Sequence, residues 1–171
     1  MFNTALSLLC FLISSIYNIQ FQNTDGGTVN MNTFQGKKIL LVNIATGSTR
    51  VSQLAGLQQL QQTYADSLVV IAFPSNSFGN ESNSNASIKQ FCQTNYNTTF
   101  IIAAKAPVSG AGLHPIYSWL SSRAQNGDLD LQIAGDFQKV LIAKDGSIQA
   151  VFSPKLDPMN EEITDAITAS Y

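Results

Sequence analysis

Ser48, His114 and Asp136 are the residue types of a hydrolase triad: a hydroxyl nucleophile, a base and a carboxylate to orient it. His114 is the only histidine, so any such chemistry must pass through it. The Gly-x-Ser-x-Gly turn that commonly presents a nucleophilic serine is absent. Pro115 follows His114, the pattern of a helix start, where capping or packing accounts for the imidazole. Cys92 is the second reactive group. It stands with Ile88 and Phe91 at i, i+3, i+4 spacing, on one apolar helix face. A buried cysteine there is an inert core residue. The other reading is a redox role, through a mixed disulfide or peroxide sensing. One histidine, two cysteines and no cluster of carboxylates leave no metal site. Asp128 and Asp130 read as a solvated loop, and nothing in the chain calls for a cofactor.

A chain of 171 residues suits one domain, and a hydrophobic share of 44% is enough for a core. Charged residues make up only 12%, about half the usual share. Asn, Gln, Ser and Thr fill the surface instead. A net charge of −2 gives no reason to expect nucleic acid or an anionic membrane as partner. The apolar run from Ala5 to Ile13 is too short for a membrane span, which needs about 20 residues. It has the length of a signal-peptide core and is followed by small Ser14 and Ser15. No Lys or Arg precedes it, and Leu9 before Cys10 is unlike a lipoprotein cleavage site. Two readings stay open. Residues 1–14 are an export signal to the periplasm or the exterior, or they are an element packed on the domain of a cytoplasmic protein. If the signal is removed, Cys92 is the only cysteine and an internal disulfide is impossible. Asn-x-Ser/Thr sequons at Asn80, Asn85 and Asn97 matter only in a eukaryotic secretory pathway.

The elements that must position these residues follow from hydrophobic period. Ser15 to Phe21 alternates apolar and polar, the pattern of a strand, and Asp25-Gly26-Gly27 turns it into a hairpin. Ile39 to Ile44 is continuously apolar, as a strand buried on both faces should be. Val51, Leu54, Leu57, Leu60 and Tyr64 set a helix over about 51–65, with the paired glutamines of 58–62 on its wet face. Leu68 to Phe73 is a second buried strand, stopped by Pro74. A polar loop runs from Asn76 to Asn85, and a helix from Ala86 to Asn95. Phe100 to Ala103 is a short strand, and Pro115 starts a helix that uses Trp119 for packing. Lys144-Asp145-Gly146 joins strands 140–143 and 148–152 as a hairpin, and a helix over 158–169 closes the chain. This order is α/β, with a parallel pair that must cross over right-handed.

Several segments resemble the glutathione peroxidase family, which has a thioredoxin-like fold. Val42-Asn43-Ile44-Ala45-Thr46-Gly47-Ser48 is similar to the family's Val-Asn-Val-Ala-Ser-x-Cys. Phe73-Pro74-Ser75-Asn76-Ser77-Phe78-Gly79 is similar to Phe-Pro-Cys-Asn-Gln-Phe-Gly. His114-Pro115-Ile116-Tyr117 resembles His-Pro-Leu-Tyr, and Asp136-Phe137-Gln138-Lys139-Val140-Leu141-Ile142 resembles Asn-Phe-x-Lys-Phe-Leu-Val. Gly36-Lys37, Gln90-Phe91-Cys92, Asn95-Tyr96 and Thr99-Phe100 match further stretches. The resemblance covers nearly everything after the N-terminal run. It implies a central mixed sheet flanked by helices.

It also implies where the chemistry should be. The family's catalytic set is a cysteine or selenocysteine, a glutamine, a tryptophan and an asparagine. Carried over by position, these are Ser48, Ser77, Gly135 and Asp136. Peroxide reduction needs a nucleophile that becomes a sulfenic acid and is reduced back, a cycle closed to a hydroxyl. The family's amides and indole donate hydrogen bonds that favour a thiolate. Here Ser77 is expected to donate once, Gly135 has no donor, and Asp136 as a carboxylate only accepts. The resemblance thus implies a degenerate site in a pseudoenzyme or binding module, with an unknown protein or small molecule as partner. The alternative is an active oxidoreductase working through Cys92, which matches a resolving-cysteine position in some relatives, with glutathione or thioredoxin as partner.

Overall fold

The computed structural model describes residues 14–170. Strand β3 (Lys38–Ile44) is buried at all seven positions. It lies third in a five-stranded sheet of order β5-β4-β3-β6-β7, with β4 Leu68–Pro74, β5 Ile101–Ile102, β6 Lys139–Ile142 and β7 Ile148–Phe152. β3, β4 and β5 run parallel, and β6 and β7 are antiparallel to their neighbours. Alternate residues of β3 feed two separate cores, as period-two geometry requires. Leu40, Val42 and Ile44 meet helices α1 (Gln53–Thr63), α2 (Asn85–Tyr96) and α5 (Glu161–Thr168). Ile39 and Leu41 meet α3 (Pro115–Leu120) and the N-terminal segment. The α/β class and the thioredoxin-like mixed sheet flanked by helices are therefore present.

Even the polar end of β3 is buried. Lys38 points to the α5 side and donates from Nζ to the carbonyls of Ala166 and Ala169, each at 2.7 Å. Carbonyls at a helix C-terminus carry the partial negative charge that favours an ammonium. On the opposite face Trp119 is buried and donates from Nε1 to the Ser14 carbonyl at 2.6 Å, the packing role expected of it.

Several expectations need correction. Ser15 to Phe21 is not one strand. Ile16–Asn18 forms a 3₁₀ turn, and only Gln20–Gln22 (β1) pairs with Thr28–Asn30 (β2). Ser15 Oγ accepts from Tyr17 N, and the adjacent Ile16 and Tyr17 both enter one core, which strand alternation forbids. β4 does end at Pro74, but it includes the proline, which pairs with Ile44 at the strand's last position. Gln59 and Gln62 are exposed as expected, but Gln58 and the half-buried Gln61 turn their amides inward. Gln58 is buried and exchanges bonds with Thr99, and Gln61 Oε1 accepts from Val70 N at 2.9 Å. Both amides satisfy backbone or hydroxyl groups that would otherwise lack partners beside the core. The closing helix starts at Glu161, capped by Asn160, and a short α4 (Arg123–Asn126) has no counterpart in the sequence pattern. Asp128 and Asp130 are exposed, as a loop reading requires, and accept from Ile148 N and Arg123 N. Residues 1–13, with Cys10 and the export segment, lie outside the described residues.

His114 caps α3: its Nδ1 accepts from Ile116 N at 3.2 Å, and its ring packs against Phe21, Phe73 and Tyr117. Burial pushes its pKa down to about 4. The unfolded chain therefore holds a proton on this imidazole between pH 6.5 and 4 that the folded chain does not. Stability should fall as pH drops through that window. Denaturant midpoints across it should show the slope, and His114→Asn, which keeps a capping oxygen, should flatten it.

Candidate functional site

Ile44 and Pro74, the last residues of β3 and β4, lie opposite each other in the sheet. The segments that follow them, 45–52 and 75–84, leave the sheet at the same end. The turn at 134–138 enters β6 beside them, with Phe137 N donating to the Asn43 carbonyl at 2.7 Å. Carboxyl ends of parallel strands are where open α/β sheets place ligand sites. The chain thus brings Ser48 on the first of these segments, and Gly135 and Asp136 together on the last, to one end of the sheet.

Ser48 sits in the turn before α1 and is 5% exposed. Its Oγ accepts from Arg50 N at 3.3 Å. Before it, Gly47 N donates to the Asn80 carbonyl at 3.0 Å. A Cβ on Gly47 would stand 2.8 Å from that oxygen, so only glycine permits the approach. Glu81 completes the clamp. Its carboxylate is fully buried and accepts from Thr46 N at 2.7 Å, Thr46 Oγ1 at 3.0 Å and Asn83 N at 3.1 Å. The sequence marked Asn80 only as a sequon and Glu81 not at all. One signal was there: Glu81 is the only charged residue between Pro74 and Lys89.

Asn80 also reaches across the site. Its Nδ2 donates to Asp136 Oδ2 at 2.6 Å, and Asp136 is 2% exposed. Asn43 Nδ2 donates to the Gly135 carbonyl at 2.9 Å. Phe137, fully buried, adopts φ 67°, a left-handed conformation uncommon in non-glycine residues and often found at functional sites. This turn directs Asp136 back toward Asn80.

Ser77 does not offer the donor expected of it. Its Oγ accepts from Val108 N, Ser109 N and Ser75 Oγ, and its own proton goes to the Ser109 carbonyl at 3.3 Å. It ties the post-β4 loop to the 107–109 loop, beside a groove of about 390 Å³ lined also by Asn76, Lys105, Pro107 and Ala111. His114 shares no hydrogen bond with Ser48 or Asp136 among the described residues, and its imidazole is engaged with α3. The triad geometry is absent. Cys92 is fully buried in the α1–α2–α5 core. Burial, and secondarily the Glu81 carboxylate, push its thiol up to about 12.

Lys139, the first residue of β6, is fully buried under the start of α1. Its Nζ donates to Gln53 Oε1 and, at 2.6 Å, to the Leu156 carbonyl. Gln53 Nε2 in turn donates to the Pro154 carbonyl at 2.9 Å. Burial lowers the Lys139 pKa to about 8; Asp157 opposes this and Arg50 adds to it.

The glutathione peroxidase family model matches residues 16–121. A glutathione peroxidase of Lactococcus lactis subsp. cremoris is 37% identical over 153 residues, 87% of this chain and 97% of the relative. A glutathione peroxidase-like peroxiredoxin of Schizosaccharomyces pombe is 34% identical over 152 residues, 88% of this chain and 96% of the relative. The crystal structure of Trgpx in apo form superposes with a TM-score of 0.68 at 27% identity, covering 90% of this chain and 93% of the other. A thioredoxin-family thiol:disulfide interchange protein from Chlorobium tepidum TLS shares the fold at 16% identity, with a TM-score of 0.65, over 91% of this chain and 97% of the other.

Two measurements probe the scaffold of this site. Glu81→Ala strands the Thr46 and Asn83 donors and should cost about 3 kcal/mol in chemical denaturation, with Glu81→Gln costing less. For Lys139, the unfolded chain keeps a proton between pH 8 and 10.5 that the folded chain releases, so stability should rise with pH there. Lys139→Met should remove that rise.

Proposed function

The chain belongs to the glutathione peroxidase family, and from that premise we propose that it is a catalytically degenerate member that acts as a binding module. The observation that carries this reading is Ser48, a buried hydroxyl at the position where the family resemblance places the peroxide-attacking sulfur. A hydroxyl has no oxidation cycle equivalent to thiol and sulfenic acid. The surroundings argue in the same direction. Asp136 brings a carboxylate to the site, which disfavours any anion forming at residue 48. Gly135 presents no side-chain donor, and the Ser77 proton is held by Ser109. The loops 75–85 and 135–136 border the surface through which a partner protein or small molecule would be recognised.

The competing reading, an oxidoreductase working through Cys92 with glutathione or thioredoxin, is disfavoured by one observation. A fully buried thiol pushed up to about 12 supplies almost no thiolate at neutral pH. No helix among the described residues is long and apolar enough to cross a membrane. The apolar run 5–13 supports export, with the mature chain starting near Ser15.

Peroxide consumption by the purified protein tests the reading. Hydrogen peroxide and an organic hydroperoxide, each with glutathione or thioredoxin as reductant, should show no turnover above the buffer rate. Ser48→Cys should stay far below a competent peroxidase, because its thiolate lacks the family's amide and indole side-chain donors and shares its end of the sheet with the Asp136 carboxylate. In native thiol titration Cys92 should react only on unfolding. Turnover by the native chain that Cys92→Ser abolishes would sink the proposal.

A further inference from the structure

Asn126 is the only asparagine in the chain that is followed by glycine. The backbone nitrogen after an asparagine can attack its side-chain amide, and glycine has no side chain to hinder the approach. In this fold both reacting partners are held. Asn126 is 6% exposed. Its Nδ2 donates to the Trp119 and Leu129 carbonyls, each at 2.8 Å, and to the Leu120 carbonyl at 3.2 Å. Its Oδ1 accepts from Asp128 N at 2.7 Å and Leu129 N at 3.0 Å. The two protons and two lone pairs of the amide are therefore all in use. Gly127 N, the attacking atom, donates to the Arg123 carbonyl at 2.9 Å as the left-handed cap of α4.

We propose that Asn126-Gly127 is a deamidation site that the native fold keeps latent, and whose conversion, once the corner between α3 and α4 opens, stops that corner from re-forming. Gly127 N loses its proton to solvent base and bonds to Asn126 Cγ. The Cγ–Nδ2 bond breaks, and the nitrogen leaves as ammonia, closing a five-membered imide. Water then adds across one of the two imide C–N bonds, giving aspartate or isoaspartate. Water is the only co-reactant, and nothing is oxidised or reduced. Neither product fits the corner. In aspartate one oxygen can still accept from Asp128 N and Leu129 N. The other replaces a donor and faces the carbonyls of Trp119, Leu120 and Leu129, which can only accept. Isoaspartate lengthens the backbone by one carbon and shortens the side chain that must reach them. The damage extends beyond α4. Ser14 N donates to the Gln125 carbonyl at 2.8 Å, and Trp119 Nε1 holds the Ser14 carbonyl. The corner therefore also anchors the start of the domain. None of these residues belongs to the Ser48 site, so the inference stands apart from the peroxide reading.

A pair bonded in this way reacts only from the open population, so its native rate is the unfolded rate scaled by that population. The test follows conversion at residue 126 by peptide mass spectrometry, with the full chain incubated in mildly alkaline buffer with and without denaturing guanidinium. Conversion should be at least about a hundredfold slower in the native chain. Asn126→Asp should melt about 5 °C or more below the native chain, or fail to fold. The rate comparison uses the unaltered chain and holds whichever of these the variant does. Equal conversion rates with and without guanidinium, or an unchanged Tm in Asn126→Asp, would overturn the proposal.

Discussion

The complete burial of β3 is the constraint from which the site follows. Its side chains enter a core on each face and both its edges are paired, so its polar side chains must find donors or acceptors inside the protein. Lys38 meets this at one end by donating to the carbonyls of α5, and Asn43 meets it at the other by holding Gly135. With the strand fixed on both faces and both edges, the chain leaving Ile44 has one path. It carries Ser48 to the carboxyl end of the sheet, next to the segments that leave β4 and enter β6.

Three close contacts make that arrangement rigid. Gly47 lies against the Asn80 carbonyl, Glu81 holds both donors of Thr46, and Asn80 reaches Asp136. The loop after β4 is therefore a keystone between the other two segments, although it contributes little apolar surface. Two of its bonding sets end on buried carboxylates, Glu81 and Asp136, where an unmet donor or acceptor costs most. The same economy explains the strained Phe137 backbone. A left-handed residue is tolerated because its amide bonds Asn43 and its ring fills the core.

On the proposed non-catalytic reading, the chemistry of the site differs in sign from that of the family to which the scaffold belongs. Donors aimed at residue 48 would stabilise an anion; here the conspicuous groups are acceptors, Asp136 and Asn43, with oxygens left over. Cys92 cannot compensate from within the core, where its environment raises the thiol's pKa. On that reading the scaffold retains its shape while its reactive groups change, because the packing and the reactive positions draw on different residues.

The sequence by itself determined the buried strands, the helices of apolar period, the hairpin at Asp145-Gly146 and the serine at position 48. These depend on local pattern, and periods of two and 3.6 residues are visible in a one-dimensional string. Only the tertiary structure decided the rest. Ser15 to Phe21 alternates like a strand, yet Ile16 and Tyr17 turn together into one core. Gln58 and Gln61 look like surface residues, but the unpaired groups of Thr99 and Val70 draw them inward. Ser77 reads as a donor to the site until the 107–109 loop takes its proton. Glu81 and Asn80 acquire their roles only from Thr46, Gly47 and Asp136, residues up to 56 positions away. The reason is the same in each case. A polar side chain has no preferred partner in sequence, and long-range packing decides which buried donor or acceptor it must satisfy.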